Sequence, residues 1–238
     1  MNPLKYKDKI ALIAPSLNIG EEEIQKCVKK LKQIGLIGIP LNLGKTDNEK
    51  AEEFMRAFTE DEFNAVFCIR GGYGASRLIP LIDFSMIKPK IFLGYSDATA
   101  FHLAISRYCN FPTFHGPMPG IDLIRKSQIS LLFRKIKSQN ITGGNLSIVT
   151  SSLGTPYEVE TSDKMLFIEE VNEPIYKIDR MITQLRHANK LNSEVVLGHF
   201  TSEEGKRIPK KIIEDIIGKK CRFFPSGHSY PNKTLVMS

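Results

Sequence analysis

The sequence predicts an α/β fold with a mostly parallel sheet, and three observations predict it. Short apolar runs alternate with amphipathic stretches through the first half, the pattern of strands joined by helical crossovers. The run Ala65–Ile69, AVFCI, is short and apolar throughout, as a buried strand is. Beyond about residue 145 the alternation gives way to strand-like stretches around one strong helix, so a second, smaller domain of mixed strands and helices follows.

The elements follow in order. Lys9–Ala14 is the first strand. Glu21–Ile34 is a helix with Ile24, Cys27, Val28 and Leu31 on one face, and Gly35 ends it as a C′ glycine. Leu36–Leu41 is a second strand. Asn48–Phe58 is helical, with Ala51, Phe54, Met55 and Phe58 at helical spacing. After the strand Ala65–Ile69 comes a short helix, Ala75–Leu81. Ile91–Leu93 is a further strand that turns at Gly94 into the helix Ala98–Ser106. Phe111–Gly120 holds three prolines and two glycines and is a loop or crossover. Ile121–Gln139 contains a helix with a basic end. Tyr157–Val159, Lys164–Ile168 and Val195–Leu197 are strands, and Tyr176–Ala188 is a helix with Ile178, Met181, Ile182 and Leu185 as its apolar stripe. The expected division is residues 1–115 as the first domain, 116–145 as linker and 146–238 as the second.

Composition narrows the function. The net charge is +7, but the lysines are spread along the chain as a solvated face, so a nucleic-acid partner is not expected. The excess suits steering of an anionic small substrate. The four cysteines are scattered without a C-x-x-C pair, which leaves neither a zinc knuckle nor a redox motif. No apolar run approaches the roughly 18–20 residues of a membrane span. The N-terminal IALIAP is a strand rather than a signal peptide, and a cytoplasmic location is expected.

The chemistry collects at a few turns. Gly94-Tyr-Ser96-Asp-Ala98 approximates the G-x-S-x-G elbow that lifts a serine Oγ clear of a sheet, with free N–H groups behind it at a helix N-terminus. From these residues alone Ser96 reads equally as a nucleophile or as a helix N-cap. A nucleophilic serine needs a base. Of the five histidines, His102 and His187 lie on helices and His199 ends a strand. His115 in FHGP and His228 in FPSGHSYP lie in loops, where catalytic side chains gather. The acid partner is sought in MLFIEE: alternation sends Glu169 and Glu170 to opposite faces, one to the cleft, the other to water or the side of Arg180. Arg70–Arg77, RGGYGASR, follows a strand. It lacks the third glycine of a dinucleotide loop and the G-K-[ST] of a P-loop. Its better reading is a set of backbone donors for an oxyanion, with Arg70 or Arg77 for a substrate carboxylate.

Taken together, RGGYGASRLIPLIDF, FLGYSDATA, FHGP, GGNLS, LFIEEVNEPIYKIDRMITQL and PSGHS, in this order, resemble the LD-carboxypeptidases, the serine peptidase family that also contains the microcin C self-immunity proteins. Substrate binding is expected at Arg70 and Tyr73, with a helix N-terminus as the alternative to Arg70 for a free carboxylate. The resemblance implies a Ser-His-Glu triad of Ser96, His228 and Glu169 and an oxyanion hole from Gly71 or Gly72 together with Asp97. It implies a flavodoxin-like N-terminal α/β domain, a smaller β-rich α+β C-terminal domain, a site between them and a homodimer. The substrate implied is a murein tetrapeptide, with no metal and no cofactor. A peptidyl-nucleotide amide is the alternative within hydrolases, and a non-catalytic nucleotide-binding protein the alternative outside them. Ten residues follow His228, so the strand expected there is short.

Overall fold

The computed structural model describes residues 2–41, 44–122, 124–135, 140–228, 230 and 232–238. The first half gives β1 (Lys9–Ile13), α1 (Glu21–Gln33), β2 (Ile37–Pro40), α2 (Asp47–Thr59), β3 (Ala65–Cys68), α3 (Ala75–Leu78), β4 (Ile91–Gly94), α4 (Thr99–Tyr108) and β5 (Thr113–His115). The second gives β6 (Ile141–Asn145), α5 (Leu146–Ser151), β7 (Met165–Glu170), α6 (Ile175–His187), β8 (Val195–Phe200), α7 (Lys210–Ile217), β9 (Arg222–Phe223) and β10 (Leu235–Met237).

The first sheet has the order β10-β5-β4-β3-β1-β2. Strands β1 to β5 are parallel, and β10 runs antiparallel beside β5. Alternation along each strand feeds two layers of core. Ala11, Ile13, Val66, Cys68 and Phe92 face α2 and α4, where Phe54 stacks on Phe101 at 4.5 Å. Ile10, Leu12, Ala65, Phe67, Ile91 and Leu93 face α1 through Cys27 and Leu31. The order β2-β1-β3-β4-β5 is the flavodoxin-like one, and its crevice for ligands lies beyond the carboxyl ends of the strands near β1 and β3. Local chemistry agrees with the elements. A capping box of Thr46 and Glu49 opens α2. Gly35, at φ 87°, lets the chain leave α1.

The second sheet, β6-β7-β8-β9, is parallel throughout. Its Leu166, Ile168, Val195 and Leu197 pack on Ile178, Ile182 and Leu185 of α6 and Ile213 and Ile217 of α7. Its other face, with Phe167 and Val196, packs on Leu235 and Met237 of β10. The two sheets therefore meet along the strand that follows His228.

Three expectations differ. The proline-rich Phe111–Gly120 contains β5: Thr113–His115 runs extended between Pro112 and Pro117 and pairs with both β4 and β10. Among the described residues Ile121–Gln139 holds only a 3₁₀ turn at Ser130–Phe133, with 123 and 136–139 outside the described residues. The carbonyls a helix would use are taken elsewhere. Leu132 O accepts from Leu4 N–H, and Gln128 O accepts from the N–H and hydroxyl of Thr234. Tyr157–Val159 is not a strand, because Val159 N–H donates to Ser152 Oγ at 3.2 Å and closes the segment onto the end of α5.

Candidate active site

Ser96 stands where β4 breaks into a 3₁₀ turn leading to α4. Its φ is +61°, a left-handed conformation that costs a non-glycine residue about 1–2 kcal/mol and persists only where surroundings impose it. Those surroundings are tight. A methyl group on Gly94 would lie 2.8 Å from Ala98 Cβ and 3.2 Å from Cys68, so helix and strand approach through the glycine. Ser96 does not cap the helix: no side-chain cap bond is made at Tyr95 or Ala98. Ser96 is partly exposed, while Tyr95, Asp97 and Ala98 are buried.

Glu169 is the penultimate residue of β7 and is fully buried. Its Oε2 accepts the His228 N–H at 3.2 Å and the Nδ1–H of the same ring at 2.7 Å. A carboxylate has no proton to give, so Nδ1 is the donor and Nε2 is left as the proton acceptor. Two glycines allow the contact. A Cβ on Gly198 would lie 2.6 Å from Glu169 Cβ, and one on Gly227, at φ 81°, would lie 2.7 Å from the carboxyl carbon. Burial disfavours the His228 imidazolium, but the Glu169 charge and hydrogen bond, with Glu170 and Asp122 behind them, outweigh it and hold the pKa above the ordinary value. The Tyr95 ring meets His228 edge-on at 4.9 Å, which brings the imidazole to the residue beside Ser96.

The carboxylates part as alternation requires, with one correction. Glu170 faces neither water nor Arg180. It is buried and accepts from Asn145 Nδ2 at 2.9 Å, Ser147 N–H at 2.8 Å and Ser147 Oγ at 2.6 Å. It fastens the start of α5 to the end of β7, and its burial raises its pKa.

The glycine turn lies against the serine. A Cβ on Gly71 would meet Ser96 Cβ at 2.8 Å and Oγ at 2.9 Å, with Asp97 N at 3.7 Å. Gly72 takes φ 145°, and a side chain there would strike Leu17. The Asp97 carboxylate accepts Ala75 N–H at 2.9 Å and Ser16 Oγ at 2.6 Å, so the residue after Ser96 ties the start of α3, just past the RGGYG turn, to the segment that follows β1. Arg70 reaches Glu23 at 3.7 Å, and its buried Nε has no protein partner among the described residues. Arg77 is committed to Asp47 through two hydrogen bonds, 2.8 and 3.1 Å, and is the poorer candidate for a substrate carboxylate. Tyr73 is 65% exposed under the Arg77 guanidinium.

His115, the other loop histidine, is fully buried on β5 and does not reach the cleft surface. Sequence reasoning missed Ser16 and Asp122. Asp122 accepts Met118 N–H at 2.9 Å, bonds the Tyr95 hydroxyl, and is pushed up in pKa by burial. Ser16 directly follows the IALIAP strand, the one local signal it offers. Among the described residues no group of acidic, histidine and cysteine side chains could hold a metal ion, and no helix is long and apolar enough to cross a membrane. The cysteines are free and lie buried or half-buried.

Comparison with known proteins agrees with this arrangement. A relative described as a probable murein peptide carboxypeptidase of Bacillus subtilis is 35% identical over 96% of this chain and 86% of its own. The murein tetrapeptide carboxypeptidase of Pseudomonas aeruginosa is 26% identical over 94% of this chain and 89% of its own. The crystal structure of an MccF-like protein from Bacillus anthracis superimposes with a TM-score of 0.86 at 21% identity, covering 99% of this chain and 93% of that one, and so shares the fold. The family models for the LD-carboxypeptidase N-terminal and C-terminal domains match residues 10–116 and 139–238. With both halves matched in order, and with its serine turn, glycine turn and buried glutamate–histidine pair, the chain belongs to the LD-carboxypeptidase family.

Proposed function

We propose that this protein is a serine carboxypeptidase that hydrolyses the L,D-amide bond of murein tetrapeptides and releases the terminal D-alanine. The observation that carries the reading is the 2.7 Å contact between His228 Nδ1 and Glu169, set beside the Ser96 corner by Tyr95. The murein carboxypeptidases among the relatives support the substrate class.

Ser96 Oγ attacks the carbonyl carbon and His228 Nε2 takes its proton. Glu169 holds the ring in the tautomer that can accept and stabilises the imidazolium that results. Backbone N–H groups of Gly71 or Gly72 and of Asp97 receive the oxyanion, a role worth ~3 kcal/mol per donor. The proton passes to the departing D-alanine amine, and water then hydrolyses the acyl-enzyme by the same route. Arg70 pairs with the free carboxylate of the substrate, and Tyr73 lines its approach. Residues 1–115 supply the nucleophile and 146–238 the acid and base, with 116–145 as the linker between the two domains. The resemblance that suggests the activity also suggests a cytoplasmic homodimer, which sedimentation of the purified chain checks.

Mass analysis of murein tetrapeptide incubated with the enzyme should show loss of D-alanine, abolished in Ser96→Ala. Turnover retained in that variant would remove the nucleophile. A relative named as the microcin C7 self-immunity protein, 24% identical, makes a peptidyl-nucleotide the second substrate to assay. Faster turnover of that compound than of the tetrapeptide would reverse the assignment.

A further inference from the structure

The FHGP histidine is left without a role by the triad, yet its ring nitrogen and its carbonyl both bond the loop that bears His228. Ser226 is fully buried, and only Gly227 separates it from His228. Its hydroxyl donates to the His115 carbonyl at 3.1 Å and lies 3.0 Å from His115 Nδ1. A hydroxyl has one proton. The carbonyl can only accept, so it takes that proton, and Nδ1–H must donate to Oγ in return. His115 therefore grips one hydroxyl with both its main chain and its ring.

Gly227 and Asn232 are held as well. Gly227 N–H donates to Asn232 Oδ1 at 3.0 Å, and the Glu169 carboxyl leaves no space for a side chain at 227. At the far end Gln128 Nε2 donates to the Asn232 carbonyl at 3.1 Å. His115 itself is walled in by Tyr95, Phe167 and His102, with ring centroids 5.2 to 6.0 Å away. Burial, with His102 and His228 close by, keeps it neutral. Its bond to Ser226 therefore persists whether or not His228 carries a proton.

We propose that His115 and Ser226 form a positioning pair that fixes the height of the 226–228 loop over β5 and so sets the His228 imidazole against Glu169. The proposal rests on His228 acting as the base. Neither residue touches substrate.

The test is steady-state kinetics on murein tetrapeptide with Ser226→Ala, His115→Phe, His115→Asn and, alongside, His228→Gln. Asn can place a donor near the position of Nδ1, whereas Phe fills the space without one. Displacing a catalytic group by about 1 Å can cost up to about 10²-fold. Ser226→Ala and His115→Phe should lower kcat by about tenfold or more with KM within about twofold. Their acidic limb in kcat/KM should move to lower pH, because a loosened Glu169 contact no longer raises the His228 pKa. His115→Asn should recover most of kcat. A folded Ser226→Ala or His115→Phe enzyme with wild-type kcat and an unmoved pH profile would overturn the pair. So would equal losses in His115→Phe and His115→Asn that only follow the folded fraction measured by circular dichroism. An active His228→Gln enzyme would instead sink the assignment of the base.

Discussion

Gly71 and Ser96 touch without room for one more carbon: a methyl group on Gly71 would stand 2.9 Å from the Ser96 hydroxyl. Gly71 is not among the residues with positive φ, so alanine is acceptable to its backbone and the conflict is with Ser96 alone. Gly71→Ala should remain folded, at an overpacking cost of about 1–3 kcal/mol. The displaced serine should lower kcat by about 10²-fold. Circular dichroism beside a D-alanine release assay separates the two effects, and a fully active variant would place the hydroxyl elsewhere.

Replacing Glu169 by glutamine keeps the shape of the His228 contact and removes its charge. The carboxylate raises the His228 pKa. The base works only when neutral, so activity rises with pH through that pKa. Without the charge the pKa falls, and the acidic limb of kcat/KM should shift to lower pH. The plateau should also fall, because the imidazolium loses its stabilising partner and the amide can hold the wrong tautomer. A pH–rate profile that keeps its acidic limb would separate Glu169 from the base.

Asp97 joins three segments, with Ser16 at 2.6 Å and Ala75 N–H at 2.9 Å on one oxygen. Asp97→Ala leaves two buried donors unpaired, at about 1–3 kcal/mol each. The melting temperature should drop, and kcat should drop further than the folded fraction accounts for, since the glycine turn loses its tether. Asp97→Asn, which keeps an acceptor oxygen, should restore part of both. Calorimetry and kinetics on the pair check this.

His102 is buried on α4, with its ring nitrogens on Thr113 Oγ1 at 2.7 Å and the Gly94 carbonyl at 3.0 Å. Burial pushes its pKa down from 6.5 to about 4. Below the ordinary histidine value the unfolded chain binds a proton that the folded one refuses. Stability should therefore fall as pH drops from about 6.5 toward 4, by up to about 3 kcal/mol from this residue. His115, shifted in the same direction, adds to the fall. His102→Gln should flatten the dependence of melting temperature on pH across that window, and an unchanged slope would show that the ring does not resist protonation.

Much of the fold was legible because its strands are covered on both faces. Ile10 and Leu12 feed one core layer and Ala11 and Ile13 the other, so β1 carries one unbroken apolar run. The serine corner was legible as a strand meeting a helix across one glycine, but the choice between nucleophile and cap was not. That choice depends on φ at Ser96 and on where Asp97 points, and its partners Ser16 and Ala75 lie 81 and 22 residues away. His115 and His228 look alike as histidines among glycine and proline, and the ordered family motifs favoured His228. Burial parts them in space, one sealed within β5 and the other set against Glu169. The false helix at Ile121–Gln139 shows the same limit, since Ile124, Ile129 and Leu132 are buried while the carbonyls of Gln128 and Leu132 serve Thr234 and Leu4.

The pairing of β10 with β5 has a consequence for how the enzyme comes into being. Residues 235–237 must find a neighbour at 113–115, across more than a hundred residues of intervening chain. Contacts so distant form late in folding. The stitch that closes the sheet also draws the 226–228 loop home, so hydrolytic competence should arrive with the last step of assembly. A growing polypeptide would stay harmless to its own substrate until then.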